Sequence, residues 1–195
     1  MRFSEIREQL SKFTVGIAGA GGLGSNCAVA LARTGIGKLV IADYDIVEAG
    51  NLNRQYFFIR QVGMKKTEAL KENLLDINPC TLVETHDTWL SEDNIPVIFG
   101  ECDIIVEAFD RREMKKMLAE TVMSIWPERP LIMGSGLAGF GDNNELRERR
   151  MGDTLIICGD EQTEVSDELP PLGPRVAIVA NMQANVVVEL LLKGK

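Results

Sequence analysis

The chain has 195 residues, of which 45% are hydrophobic, and its formal net charge is −8 at pH 7. This length and hydrophobic content are enough for one domain with a substantial core, so we predict a single domain over residues 1–195. The negative net charge argues against non-specific binding to nucleic acid or to an anionic membrane surface.

Cysteine usage and the N-terminus indicate a reduced compartment. The four cysteines form no C-x-x-C pair, so the chain lacks the spacing of a disulfide framework or of a structural zinc site. The N-terminal MRFSEIREQL carries charges throughout, unlike a signal peptide. No stretch approaches the ~18–20 apolar residues of a membrane span. We therefore expect a cytoplasmic protein without a membrane-spanning helix.

Strand and helix patterns alternate along the first two thirds of the chain. A short helix from Ser4 to about Phe13 precedes the apolar run TVGIAG, a glycine-rich turn and a helix that Gly35 ends. Further strands are predicted at KLVIAD, TLVETH, DIIVEAF and PLIMGSG, with helices at MKKTEALKENLLDIN and RREMKKMLAETVMSIW. Strands separated by helices favour a parallel sheet with right-handed crossovers. Uninterrupted apolar runs are typical of strands covered on both faces.

The last third of the chain has a different composition. Residues 134–173 contain many glycines, prolines and acidic residues around one predicted strand, DTLIIC. The apolar PRVAIVANMQANVVVELLLK predicts a helix that packs on the sheet or on a partner subunit. We therefore predict an α/β, Rossmann-like fold with a mostly parallel sheet, helices on both faces and a C-terminal extension of strand, loop and helix.

The first predicted strand ends in a glycine-rich turn, GAGGLG. Its glycines form G-x-G-x-x-G with one extra member: Gly19, Gly21, Gly22 and Gly24. Backbone amides at such a helix N-terminus favour an anion. Asp43 ends the second strand, and a carboxylate at this place commonly accepts hydrogen bonds from ribose hydroxyls. Both features suit a nicotinamide dinucleotide and ATP equally.

Cationic side chains after the second strand favour ATP. The stretch DYDIVEAGNLNRQYF carries Arg54, and the next helix begins near Lys65 and Lys66. A triphosphate carries about twice the charge of a pyrophosphate linkage, and side-chain cations neutralise such charge. The alternative is that Arg54 and Lys66 are solvated surface residues.

Asp110 follows the fourth predicted strand. In the usual order of such sheets, strands one and four are neighbours, which places Asp110 across the cleft from the glycine turn. A carboxylate beside a triphosphate is repelled unless it holds a cation, and Mg²⁺ is the natural bridge. Alternatively, Asp110 caps the N-terminus of the following helix. The geometry permits both roles.

These motifs occur in the order of a known family. GAGGLGS, the D-x-D of Asp43 and Asp45, NLNRQ, VGMKK and Asp110 together resemble the ThiF/MoeB/HesA family, the bacterial relatives of ubiquitin-activating enzymes. The resemblance runs from about residue 14 to the end and is closest to the short, zinc-less ThiF-like branch. It implies ATP-dependent adenylation of the C-terminal glycine of a ubiquitin-like sulfur carrier protein of the ThiS type, in thiamine biosynthesis. It also implies a homodimer that uses Mg²⁺ and no structural zinc.

The resemblance assigns roles to individual residues as well. The glycine turn and Asp43 would bind the nucleotide, with Asp43 on the ribose. Asn51 and Arg54 would bind the phosphates, Lys66 would lie at the α-phosphate, and Asp110 would hold Mg²⁺. Arg54, Lys66 and Asp110 are therefore the catalytic candidates.

The chain departs from the family's pattern at several positions. Relatives carry an N-terminal arginine in an R-Y-x-R-Q motif that reaches the partner subunit's ATP site, whereas this chain offers Arg2 and Arg7 as candidate substitutes. The family often has Asn where this chain has Arg111. Cys158 either takes the activated carrier as a thioester or persulfide, or is a small core residue.

Two other functions stay open from the sequence. A homologue without the N-terminal arginine would bind ATP or a partner without catalysis. An NAD-dependent oxidoreductase is supported by the glycine turn and Asp43 alone. A rise in the melting temperature of the protein with ATP and Mg²⁺, and none with NAD, would argue against the oxidoreductase and for either of the ATP-binding functions.

Overall fold

The computed structural model describes residues 1–194, so that Lys195, the end of the predicted domain, lies outside the described residues. Strands and helices alternate over most of this length. In chain order the elements are α1 (Phe3–Leu10), β1 (Thr14–Ala18), α2 (Gly22–Thr34), β2 (Lys38–Asp43), α3 (Lys66–Ile77), β3 (Leu82–Asp87), α4 (Ile95–Phe99), β4 (Ile104–Glu107), α5 (Arg112–Ile125), β5 (Leu131–Gly134), β6 (Arg147–Met151), β7 (Leu155–Gly159) and α6 (Gly173–Lys193).

The strands form one sheet in the order β3-β2-β1-β4-β5-β7-β6. Every neighbouring pair is parallel except β6 and β7, which are antiparallel. The predicted α/β, mostly parallel sheet is therefore confirmed, as is the pairing of the first and fourth strands. From β1 to β3 the strands are added towards one side of the sheet, and from β4 onwards they are added towards the other. Ligands bind in such folds at this junction between β1 and β4.

The two faces of the sheet carry separate hydrophobic cores. On one face, side chains such as Ile17 and Leu39 pack beneath α1, α2, α3 and α6. On the other face, Ala18 and Val40 pack beneath α4 and α5. Consecutive strand residues thus enter opposite cores, which explains why β1, β2 and β4 read as unbroken apolar runs.

Two glycines fix the turn between β1 and α2. Gly19 has φ = 103°, in the left-handed region that favours glycine. A Cβ atom on Gly24 would lie 1.8 Å from the carbonyl oxygen of Gly19. The helix can therefore begin directly at the strand end only because this position has no side chain.

Two elements were absent from the sequence-based prediction. β6 covers the charged run RERRM, whose residues are all exposed at the sheet edge, so no apolar periodicity marks it as a strand. α4 is a single short helix of five residues, IPVIF. In residues 134–173 the structure thus has two strands where one was predicted, because pairing with β7 defines β6 and its own composition does not.

The statement that no stretch approaches the length of an apolar membrane span was wrong for α6. This helix has 21 residues and is apolar enough to cross a bilayer by length and composition. Half of its most apolar window is buried inside the protein, and it packs against α1, α2 and β5. Gln183 in its middle donates a hydrogen bond to the Glu107 carbonyl at 2.9 Å. A core helix of a protein meets the same length and composition criterion.

Candidate active site

A cavity of about 720 Å³ lies at the carboxyl ends of the central strands, and it collects most of the predicted site residues. Those that line it are Gly19, Gly21, Gly22, Asp43, Arg54, Lys66 and Asp110. They come from five places along the chain, namely the glycine turn, the end of β2, the loop that follows it, the start of α3 and the residues after β4, which the fold brings to one edge of the sheet. The positions of these residues agree with a shared ligand, and their individual roles stay predictions.

Two predicted residues lie outside the cavity lining. Gly24 is buried beneath the turn, where it permits the close approach to Gly19. Asn51 ends a 3₁₀ turn, and its Oδ1 accepts a hydrogen bond from the Glu48 amide at 3.1 Å. In this structure Gly24 therefore shapes the turn, and Asn51 stabilises the loop that carries Arg54.

Asp43 is held rigidly beside the glycine turn. Its Oδ2 accepts from the Ala20 amide at 2.6 Å, and its Oδ1 accepts from the Asp45 amide at 2.8 Å. Burial raises the pKa of the Asp43 carboxyl, while the nearby Lys66 ammonium and the two amides act in the opposite direction. Each oxygen retains a second lone pair, so the carboxylate can accept further hydrogen bonds from hydroxyl groups.

Lys66 is a buried cation at the start of α3. Its Nζ lies 2.7 Å from Asp45 Oδ2, and its side chain is only 7% exposed. Its backbone amide also donates to the Asp45 carbonyl at 2.9 Å. Lys65 behaves differently, since it pairs with Asp87 and is absent from the cavity lining. The predicted pair of cations thus splits into one that faces the cavity and one that does not.

Arg54 is fixed through its backbone and not through an opposite charge. Asn26 donates from Nδ2 to the Arg54 carbonyl at 2.9 Å and to the Gly22 carbonyl at 2.7 Å, which joins the NLNRQ loop to α2. The Arg54 guanidinium donates to Gly50 O at 3.3 Å and to Asn53 Oδ1 at 2.8 Å. Both acceptors are neutral, so the positive charge is available to an anion.

Asp110 lies exposed on the cavity wall after β4. The alternative role as a helix cap was wrong, because Arg111 is the residue before α5 and no side chain caps that helix by a hydrogen bond. Within residues 1–194, no three His, Cys, Asp or Glu side chains cluster around a common metal position. Mg²⁺ is commonly held by one or two carboxylates with water and phosphate oxygens, so a lone exposed carboxylate fits it.

A buried ion pair, missed in the sequence, closes the floor of the cavity. Glu107 at the end of β4 is completely buried, and Lys115 Nζ lies 3.0 and 2.9 Å from its two carboxylate oxygens. Lys115 also donates to the Gly134 carbonyl at 2.8 Å. Burial raises the pKa of Glu107, and the Lys115 charge and hydrogen bond oppose that rise. The signal in the sequence was a Glu in the apolar run DIIVEAF.

Other cavity residues also escaped the sequence analysis. Tyr44 and Trp89 form an aromatic pair on one wall, with ring centroids 4.5 Å apart. Gln55 lies next to Gly21, and its buried Oε1 has no hydrogen-bond partner. Gln55 belongs to the NLNRQ motif, and Tyr44 directly follows Asp43. Their positions next to predicted site residues could therefore have indicated that both line the cavity.

The segment from Asp160 to Pro171 forms the remaining wall. Asp160 accepts hydrogen bonds from the amides of Gln162 and Thr163, both at 2.8 Å, and pairs with the buried Arg175 at 2.6 Å. Burial would raise the Asp160 pKa, but these hydrogen bonds outweigh it and lower the pKa to about 2. Arg112 at the start of α5 pairs with Glu164 and links this segment to the opposite wall.

Three further sequence candidates lie elsewhere. Cys158 is fully buried on β7, and burial raises the pKa of its thiol to about 12, which favours the core reading over a nucleophile. Arg2 pairs with Glu5, Arg7 packs over the Phe3 ring, and neither arginine lines the cavity of its own chain.

The sequence matches the ThiF family model over residues 3–195. The protein "Adenylyltransferase and sulfurtransferase MOCS3" of Culex quinquefasciatus is 35% identical over 197 aligned positions, which cover 94% of this chain and 43% of the relative. "Ubiquitin-like modifier-activating enzyme 5" of Caenorhabditis briggsae is 35% identical over 135 positions, covering 62% and 31% respectively. The chain thus spans less than half the length of these curated relatives.

Solved structures show the same fold. E. coli tRNA N6-threonylcarbamoyladenosine dehydratase, TcdA, in complex with ATP, superposes with a TM-score of 0.87 at 21% identity, covering 97% of this chain and 89% of that one. E. coli MccB with AMPCPP and MccA gives a TM-score of 0.75 at 24% identity, covering 96% and 58%. At these identities the likeness concerns the fold. The family model spans nearly the whole sequence, and the chain belongs to the ThiF family.

Proposed function

We propose that the chain uses ATP and Mg²⁺ to adenylate the C-terminal glycine of a ubiquitin-like sulfur carrier protein of the ThiS type, in thiamine biosynthesis. The observation that carries the proposal is one cavity in which a glycine turn, a ribose-type carboxylate, two cations and an exposed carboxylate meet. Family membership and an adenylyltransferase among the relatives support the reaction class. The proposed setting is a homodimer in the cytoplasm.

The proposed reaction joins one anion to a polyanion. A carboxylate oxygen of the carrier forms a bond to the α-phosphorus, the bond from that phosphorus to the bridging oxygen breaks, and pyrophosphate leaves with the electron pair. The nucleophile is already ionised, so the enzyme needs no general base. Positioning and neutralisation of charge would supply most of the rate.

The residues of the cavity divide this work. The amides of the glycine turn and the Asp43 carboxylate would orient the nucleotide, since both are fixed by the β1–α2 turn. Arg54 would bind phosphate oxygens because its guanidinium faces only neutral acceptors. Lys66, held by Asp45, would present a fixed ammonium to the α-phosphate region. Asp110 would hold Mg²⁺, which neutralises charge that develops on the phosphates.

The proposal is tested by ligand-induced thermal stabilisation and by pyrophosphate release. ATP with Mg²⁺ should raise the melting temperature, and NAD should not. Carrier-dependent pyrophosphate release should fall by on the order of 10²–10³ in Arg54→Ala and in Asp110→Ala. Near-normal release in either folded variant would reject the site assignment.

A second candidate is a non-catalytic ATP- or partner-binding member of the family. Its support is that Arg2 and Arg7, the candidate substitutes for the family's N-terminal arginine, are both engaged by neighbours on α1. This candidate predicts stabilisation by ATP without any pyrophosphate release when carriers are added. The two candidates therefore agree on nucleotide binding and differ on turnover.

A further inference from the structure

Arg111 makes a cation–π contact with an aromatic ring of the cavity. The carbon of its guanidinium lies 5.6 Å from the centroid of the Trp89 ring. Trp89 in turn packs against Tyr44, with an angle of 49° between the ring planes. All three residues line the cavity, and each follows a different strand: Arg111 follows β4, Trp89 follows β3 and Tyr44 follows β2.

The strand order shows how far this contact reaches. β4 and β3 are separated by β1 and β2, which makes three strand spacings, or about 14 Å. The glycine turn and Asp43 lie at the ends of the two intervening strands. The pair formed by Arg111 and Trp89 therefore joins the two sides of the cavity across the ends of the strands that carry the glycine turn and Asp43.

The charge on Arg111 is also uncommitted. Lys66, Lys115 and Arg112 each pair with a carboxylate, at Asp45, Glu107 and Glu164 respectively. Among the ion pairs of residues 1–194, none includes Arg111. An exposed cation–π contact is weaker than charge-assisted hydrogen bonds to phosphate. A phosphate chain in the cavity would therefore attract this guanidinium away from the ring.

We propose that Arg111 is a substrate-binding residue that contacts the phosphate chain of the bound nucleotide within its own subunit, leaving the Trp89 ring to do so. Guanidinium suits this role because its fork of donors matches phosphate oxygens. The proposal rests on the proposed function in one respect, namely that the ligand carries a phosphate chain. It assigns a phosphate-binding cation to position 111, where the family often has Asn.

The test uses Trp89 as an internal reporter. The chain has two tryptophans, so Trp126→Phe leaves Trp89 alone and keeps an aromatic ring over which Arg129 packs. In this background, fluorescence and calorimetric titrations with ATP and with adenosine, both with Mg²⁺, give two affinities. ATP should change the Trp89 emission, and Arg111→Gln should abolish that change. Arg111→Gln should also weaken ATP binding by about 10–100-fold and leave adenosine binding within about twofold.

Two further variants separate charge from structure. Lys116→Gln removes a cation from α5, five residues after Arg111, at a side chain that is 75% exposed and outside the cavity lining, and should leave both affinities unchanged. Arg111→Lys keeps the charge without the fork and should recover part of the ATP affinity. It also keeps the test open if Arg111→Gln folds poorly.

The outcomes distinguish this proposal from the proposed function. Equal losses for ATP and adenosine in Arg111→Gln, or no loss for ATP, would overturn the role of Arg111, whereas ATP binding by the parent protein would still support the proposed function. Failure of the parent protein to bind ATP would reject the proposed function, and the proposal for Arg111 with it. A selective loss for ATP together with silent Trp89 emission would support the contact but overturn the movement away from the ring.

Discussion

The two halves of the cavity wall are stabilised by different kinds of interaction. The half formed by β1, β2, β4 and α2 consists of buried apolar strands and a glycine turn whose backbone segments touch. The half formed by residues 160–171, which follow β7, is held largely by polar contacts, with Asp160 at their centre. The first half is specified by close packing, and the second by a few hydrogen bonds. Perturbations should therefore be far more harmful in the first half.

The largest effect is expected at the glycine turn. Gly24→Ala places a Cβ 1.8 Å from the Gly19 carbonyl oxygen, and neither backbone can yield without displacing the turn. We expect a loss of at least about 3 kcal/mol in the free energy of unfolding, measured by urea denaturation. Gly50→Ala is the matched control, since no atom lies within 4 Å of the added carbon. Equal urea midpoints for the two variants would contradict the packing account.

The second effect tests the buried ion pair of the same half. Lys115→Met leaves the fully buried Glu107 without its cation and should lower stability by about 3–5 kcal/mol. Burial already raises the pKa of Glu107, and removal of the ammonium raises it further, so the folded variant binds a proton more readily than the unfolded chain does. Its stability should then fall as pH rises, and the deficit should be smaller at pH 5 than at pH 8.

Chemical denaturation at both pH values checks this prediction. Lys116→Met, one residue further along α5 and exposed, should show neither the deficit nor its pH dependence. A deficit in Lys115→Met that stays constant with pH would show that lost packing, rather than the bare carboxylate, causes it.

A smaller effect is expected in the polar half. The Asp160 carboxyl has a pKa of about 2 in the folded protein and an ordinary value of 3.8. Because its pKa is depressed on folding, it contributes about 2 kcal/mol above pH 4, and this contribution is lost as pH falls towards 2. Asp160→Asn should therefore lower stability by about 2 kcal/mol at pH 7. Asp167→Asn, exposed in the same segment, should have little effect, and similar values for the two would refute the hub role of Asp160.

The smallest effect is expected at the sheet edge. Arg147 on β6 pairs with Glu145 at 2.9 Å, but the two side chains are 67% and 61% exposed. Exposed pairs contribute little, so Arg147→Ala should change the unfolding free energy by no more than about 0.5 kcal/mol. The melting temperature from a thermal melt measures this change. A decrease in melting temperature as large as that of Asp160→Asn would contradict the prediction and show that the ion pair on β6 contributes as much stability as Asp160.

The same contrast explains what could be predicted from the sequence. The apolar runs and G-x-G-x-x-G indicated the sheet, its strand neighbours and the edge where Asp43, Arg54 and Lys66 meet. β6 was missed because RERRM has no apolar alternation, and its backbone pairing with β7 is what defines it as a strand. The Glu107–Lys115 pair was missed because its partners lie eight residues apart on two elements whose packing no periodicity describes. The apolar pattern of α6 predicted a helix that packs on the sheet or on a partner subunit, but its match to a membrane span in length and composition was missed.

The contact of Arg111 with Trp89 could not be predicted from sequence motifs either. Position 111 differs from the family's usual Asn, which weakened any role that resemblance could assign there. Only the geometry shows its guanidinium reaching Trp89 across the ends of two other strands. Residues that depart from a motif thus need the structure before a role can be proposed for them.

The central claim is tested most directly by intact-mass spectrometry of a Gly-Gly-ended ThiS-type carrier mixed with the protein, Mg²⁺ and ATP. The account predicts that the carrier gains the mass of an adenylyl group, and that the gain disappears when Arg54→Ala replaces the wild-type protein. Absence of the adduct with several carriers, under conditions where ATP binding is demonstrated, would contradict catalysis and favour the non-catalytic member of the family.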